Sequence, residues 1–247
     1  IKNRFKSLNL KEFDLIIDIQ SKLRNTLILK RLPHKNFYSS TFSFLFCSKK
    51  KSYISSQNLI ETTIKNIEIL TQKKIDICEF SLSNLDKIFF DEAKRLLPEN
   101  NYIGLSITQG NIYRKKEWPL NNIVNLCNQF KKNNKIPVFF ISKKNIELKN
   151  KIQNLIPYAL FPEHESSLSS PALVTSLGKR LNFAITIDNG IMHMLSLSKV
   201  PMISLFGPTN SEKFAPKYAR SVVLDSNKIY NTKNISSITV DDVLKAA

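Results

Sequence analysis

Phe183-Ala184-Ile185-Thr186-Ile187-Asp188-Asn189-Gly190-Ile191-Met192-His193 is the stretch that decides the fold class. Its first five residues are an apolar run that fits a strand buried in a parallel sheet. Asp188 ends the run, and Gly190 opens a helix over 190–198 with no side chain in the way. The next apolar run, 201–206, is again a strand. Upstream, the same alternation gives a strand at 102–107, a helix from Pro119 to about 132, and a strand at 136–141. It continues with a helix at 145–156, a short strand at 158–161 and a helix at 171–180. Downstream come a loop at 207–216, a strand at 221–224 and a last helix from Thr239. Thr239 and Asp242 have the spacing of a capping box. Strands alternating with helices predict a parallel, doubly wound α/β sheet.

The chain before Pro98 is less regular. Phe13-Asp14-Leu15-Ile16-Ile17-Asp18-Ile19 predicts another strand buried on both faces. A helical pattern over 21–31 is broken at Arg31-Leu32-Pro33-His34. An aromatic-rich segment at 37–46 fits a packing role, and a helix is predicted over 58–70. Residues 71–98 give only weak signals, so the boundary between two domains is drawn at 98.

The chain's 247 residues suffice for one large or two smaller cores. Only 5 are glycine, and neither a dinucleotide fingerprint nor a P-loop motif occurs. The net charge of +17 suits an anionic partner such as a nucleoside diphosphate or an anionic membrane surface. Lys/Asn/Ile-rich composition accounts for part of that charge. No basic–aromatic stripe or recognised module points to nucleic acid. Cys47, Cys78 and Cys127 are scattered, which predicts neither a disulfide framework nor a zinc site and fits a reducing compartment. No spanning segment is present.

Ligands of open α/β sheets bind beyond the carboxyl ends of the strands, where three loops of the second half converge. Arg114-Lys115-Lys116-Glu117-Trp118-Pro119 puts cations just before a helix N-terminus, an arrangement suited to a diphosphate. Asp188 is placed to cap the following helix, to bind a ribose hydroxyl, or to hold Lys116. His193 lies one turn into that helix. Phe206-Gly207-Pro208-Thr209 makes a stiff turn that offers a hydroxyl and an N–H.

In order and spacing, Lys116-x-Trp118-Pro119, Asp188-x-Gly190-x-x-His193 and Phe206-Gly207-Pro208-Thr209 resemble the family 9 glycosyltransferases. The best-known members of that family are the ADP-heptose:lipopolysaccharide heptosyltransferases. Phe13–Gln20 with Leu23-Arg24 is similar to a strand midway through that family's N-terminal domain. The resemblance implies a GT-B architecture of two Rossmann-like domains with parallel sheets. Residues 1–98 would be an incomplete acceptor-side domain, and 99–247 the nucleotide-sugar domain. It implies that Lys116 contacts the diphosphate, and that Asp188, Asn189 and Gly190 line the same pocket. His193 would support that turn, Thr209 would lie nearby, and Glu147 would meet the nucleoside.

The family's expected general base is an Asp in a Gly-Asp loop after its first strand. Nothing in this sequence matches that loop, so no catalytic residue is assigned here. The expected reaction is an inverting transfer of a sugar, a heptose first among candidates, from a nucleoside-diphosphate donor such as ADP-heptose. The expected acceptor is a lipid-linked glycan of the lipopolysaccharide core or a related surface glycan. No cofactor is expected, and without an Asp-x-Asp motif no metal is. The implied location is cytoplasmic, peripheral at the inner face of the membrane. The alternative is a catalytically inactive, nucleotide-sugar-binding homologue or fragment.

Overall fold

The structure, a computed structural model, describes residues 11–55, 59–76, 81–107 and 116–247. The chain divides into two compact units, Ile1–Cys78 and Glu79–Ala247.

In the first unit, β1 (Phe13–Asp18) and β2 (His34–Ser39) pair in parallel through helix α1 (Leu23–Leu29). Helix α2 (Leu59–Thr71) follows, and Ile67 and Leu70 on its inner face close over Tyr38. The expected burial of the first strand on both faces does not hold. Ile16 is buried, but Phe13 and Ile17 stay exposed, because the described residues cover only one side of β1. Below that side lies a polar network. Asp18 Oδ1 accepts from the backbone N–H groups of Gln20 (3.2 Å) and Ser21 (3.1 Å). Oδ2 accepts from the hydroxyls of Thr26 (2.5 Å) and Ser39 (2.9 Å). The Thr41 hydroxyl lies 2.7 Å from that of Thr26 and completes the set. All four side chains are buried, so each polar group needs an internal partner.

The second unit is a five-stranded, wholly parallel sheet in the order β4-β3-β5-β6-β7. Its strands are β3 (Tyr102–Ser106), β4 (Ile136–Phe139), β5 (Leu181–Ile187), β6 (Met202–Phe206) and β7 (Ser221–Asp225). β3 and β6 are buried at every residue, as strands covered on both faces must be. Alternate residues serve opposite cores. Ile103, Leu105, Ile185, Ile203 and Leu205 face one cluster with α4 (Leu120–Lys132), α5 (Ile146–Leu155) and α11 (Val240–Ala246). Tyr102, Val138, Ala184, Met202 and Phe206 face the other, with α3 (Lys87–Leu96), α7 (Pro171–Gly178) and α8 (Gly190–Leu197). The doubly wound α/β sheet is therefore present as expected. The strand expected at 158–161 is reduced to one bridge, Val138 to Leu160.

The sequence draws its boundary at 98, and the compact units of the structure divide between Cys78 and Glu79. Residues 87–96, which carry weak sequence signals, form α3. Its Ala93 and Leu96, with Leu97, pack on Leu173, Val174 and Leu177. Arg180 pins the end of this segment by donating to the carbonyls of Leu97, Pro98 and Glu99 at 2.8–2.9 Å. Helix α11 has the predicted capping box at Thr239 and Asp242. Short helices α6 (Pro162–Glu165), α9 (Ser211–Phe214) and α10 (Ser226–Tyr230) complete the unit.

Candidate nucleotide-sugar site

The strand order places a topological switch point between β3 and β5: the chain leaves β3 for β4 on one side, then returns to β5 on the other. Loops leaving the two strands diverge there and open a crevice. Lys116 reaches this point from the loop after β3, and Asp188 follows β5 directly. The Lys116 ammonium donates to an Asp188 carboxylate oxygen and, at 3.2 Å, to the Asp188 backbone carbonyl. Both residues are buried. Of the roles open to Asp188 in the sequence, the structure shows it holding Lys116.

The helix-capping role belongs instead to Asn189. Its Oδ1 accepts from Met192 N at 3.0 Å, and its Nδ2 donates to the Ser106 hydroxyl at 2.8 Å. One amide thus closes the first turn of α8 and ties it to the end of β3. Among the described residues, a Cβ added to Gly190 would meet nothing nearer than Met194 Cε at 4.0 Å. The described residues therefore leave room over the α8 N-terminus, where N–H groups and the helix dipole favour an anion. His193, one turn along, is exposed. Partial burial of its ring holds its pKa below the usual imidazole value, with Asp188 raising it and Lys116 lowering it.

Trp118 anchors the other side of the crevice. Its ring is buried in the core below α4, and its indole N–H donates to the Ile238 carbonyl at 2.8 Å. Pro119 is the N-cap of α4 rather than its first residue, and it offers no side-chain cap to the N–H groups behind Lys116. Arg114 and Lys115 lie outside the described residues. Thr209 follows β6, and its Oγ1 is buried without a hydrogen-bond partner among the described residues. Glu147 is an exposed residue in the first turn of α5, beyond the end of β4.

The loop carrying Thr209 is pinned at Gly207. A Cβ there would lie 2.7 Å from Ile235 N and 2.8 Å from Ile235 Cβ, a backbone neighbour that cannot swing aside. Gly207→Ala is expected to destabilise the second unit by about 1–3 kcal/mol through overpacking. An unchanged urea midpoint would show that the loop does not need this close approach.

Two residues have no functional signal in the sequence. Glu163 and His164 sit in α6, and Glu163 Oε2 and His164 Nε2 are buried without hydrogen-bond partners among the described residues. Burial pushes the Glu163 carboxyl above its usual pKa, against the Ser169 hydroxyl and Lys143. Burial also holds His164 down, helped by Lys149 and against the backbone groups of Ile141 and Ser142. Pro162-Glu163-His164-Glu165 has the composition of a solvated acidic loop. Only packing beside the end of β4 encloses it.

The profile of the family described as glycosyltransferase family 9 (heptosyltransferase) matches residues 1–242. No curated protein sequence matches the chain. Among solved structures, a family 9 glycosyl transferase from Veillonella parvula aligns over 100% of this chain and 75% of its own length, with a TM-score of 0.72 at 19% identity. The E. coli heptosyltransferase WaaC with ADP aligns over 99% of this chain and 75% of its own, with a TM-score of 0.72 at 15% identity. E. coli ADP-heptose lps heptosyltransferase II aligns over 99% and 77%, with a TM-score of 0.65 at 15% identity. At these identities the likeness is one of fold, and the fold is that of the GT-B glycosyltransferases. A parallel α/β chain with Lys116 and Asp188 at its switch point, matched by this profile over nearly all its length, belongs to glycosyltransferase family 9.

Proposed function

We propose that this chain transfers a sugar, a heptose in the first instance, from a nucleoside-diphosphate donor to a lipid-linked glycan acceptor of the lipopolysaccharide core or a related surface glycan. The observation that carries this is the buried Lys116–Asp188 pair beside the uncrowded N-terminus of α8. WaaC has been captured with ADP and with ADP-2-deoxy-2-fluoro heptose, which supports ADP-heptose as the donor.

In the proposed reaction the acceptor hydroxyl attacks the anomeric carbon from the face opposite the diphosphate. The C–O bond to the diphosphate breaks, and configuration inverts. Negative charge grows on the leaving diphosphate. Lys116 and the N–H groups at the start of α8 are preorganised to receive it without metal. Asp188 holds the lysine at the crevice before the donor arrives. Asn189 fixes the turn, His193 supports it, and Thr209 and Glu147 are proposed on the phosphate and nucleoside sides. The unpartnered atoms of Glu163 and His164 suit the hydrogen-bonding edge of a base. The general base is not assigned to a residue of this chain. The proposed setting is the cytoplasmic face of the membrane.

A thermal-shift panel of ADP, UDP and GDP tests the reading. A ligand at about 100 times its Kd adds about 2.7 kcal/mol, or a rise of about 5–10 °C for a chain of this size. ADP is expected to give the largest rise. Gly190→Ala should keep the unliganded midpoint, since the new methyl comes only to van der Waals distance of Met194 Cε, 4.0 Å, yet lose most of the ADP rise. A flat panel on the parent chain would sink the proposal.

A further inference from the structure

Residues 41–48 of the first unit form a turn with an unusual backbone. Phe42, Ser43 and Phe44 have φ of 47°, 51° and 68°. Three successive left-handed residues bearing a Cβ are costly. The turn is held at both ends: Thr41 joins the Asp18 network, and Ser48 exchanges hydrogen bonds with the backbone of Phe37 at 2.7 and 3.0 Å. Phe44 packs against Tyr38 and Tyr53. Phe42 meets only the Phe46 ring, at 6.3 Å between centroids, and Phe42 and Leu45 keep 64% and 69% of their surfaces exposed. The strained turn therefore presents two large apolar side chains to solvent.

The chain then runs directly into Lys49-Lys50-Lys51. Lys50 and Lys51 are exposed, and neither has an ion-pair partner among the described residues. Leu45 shares with them an open cleft of about 720 Å³, whose other lining includes Ser40, Ser43 and Ser52. Apolar tips, unpaired ammonium groups and hydroxyls thus occupy one loop.

We propose that this turn is the chain's contact with an anionic phospholipid bilayer. Phe42 and Leu45 enter the boundary between headgroups and acyl chains, Lys50 and Lys51 pair with lipid phosphates, and the serine hydroxyls donate to phosphate oxygens. An anionic interface satisfies both kinds of group at once, as it does for amphipathic membrane-surface segments. A free phosphate or a soluble glycan would leave Phe42 and Leu45 in water. The inference rests on the reading above for the choice of a lipid surface; the placement on this loop comes from the turn itself.

Flotation of the whole chain with phosphatidylcholine vesicles, with and without phosphatidylglycerol, tests it. Binding is expected on the anionic vesicles and should weaken with salt. Phe42→Ser/Leu45→Ser and Lys50→Glu/Lys51→Glu should each lower partition by about tenfold or more. Phe42→Trp should show a blue shift on anionic vesicles, above the constant emission of buried Trp118. Partition that ignores the Phe42/Leu45 change and collapses only with the lysines would make the cleft a plain anion site and overturn insertion. So would the absence of a blue shift. Both double variants should keep the ADP-induced rise in midpoint, whereas Lys116→Ala should lose ADP and keep the vesicles. Failure of one reading is thereby visible apart from failure of the other.

Discussion

Lys116→Ala is expected to weaken ADP binding by about one to two orders of magnitude. A charge-assisted hydrogen bond to phosphate is worth about 1.5–3 kcal/mol, and each 1.4 kcal/mol is about tenfold. The structure adds a second effect. Lys116 is only 7% exposed, and Asp188 9%, so the alanine leaves a buried carboxylate without its cation. Breaking one side of a buried pair costs about 3–5 kcal/mol of stability. The two effects separate in a double variant. Lys116→Ala/Asp188→Asn removes both charges, and should regain most of the stability while ADP affinity stays low. Urea melts and calorimetry read the two quantities. Recovery of ADP affinity in the double variant would mean that Lys116 serves the fold and not the ligand. Lys115→Ala should cost less than about threefold in affinity. A loss as large as that from Lys116→Ala would turn the loop into a diffuse electrostatic patch.

Asp18→Ala should be the most damaging single change in the first unit. It removes one carboxylate that accepts from two backbone N–H groups and two hydroxyls. Ser21, held at φ 51° by this contact, loses its tether. Each unpartnered buried polar group costs about 1–3 kcal/mol, and re-pairing among Thr26, Ser39 and Thr41 recovers part of it, so the net loss is expected at about 2–4 kcal/mol. The described core of this unit is small, with Tyr38, Ile67 and Leu70 at its centre, and cannot absorb that loss easily. Faster proteolysis within residues 11–76, with the ADP-induced shift intact, is the expected signature. Wild-type resistance would show that the network does not hold the unit together.

Much of the candidate site is legible in the sequence because each part is a local event. A strand ends, a loop carries a polar or basic residue, and a helix begins. Lys116, Asp188, Gly190, His193 and Thr209 all sit in such transitions, and the sheet brings those of β3 and β5 to one crevice. The polar residues of α6 carry no such mark. Glu163 and His164 resemble surface residues until the neighbouring chain encloses them. Gly207 looks like an ordinary turn glycine until Ile235 is found 2.7 Å from its would-be Cβ.

The alternation of strands and helices in residues 102–246, the family, and the loops at the carboxyl ends of the strands can all be read from local sequence. Periods of 2.0 and 3.6 residues and the residues that stop them are written within a few positions of each other. That Asp188 holds Lys116 across 72 residues while Asn189 caps the helix emerges only when the chain is folded. Long-range packing also puts α3 with the second unit and lets Asp18 gather Thr26 and Ser39 beneath one face of β1. These are contacts between segments far apart in the chain. Their energy comes from shared burial and from pairing groups that water can no longer reach, and neither leaves a periodic trace in the sequence.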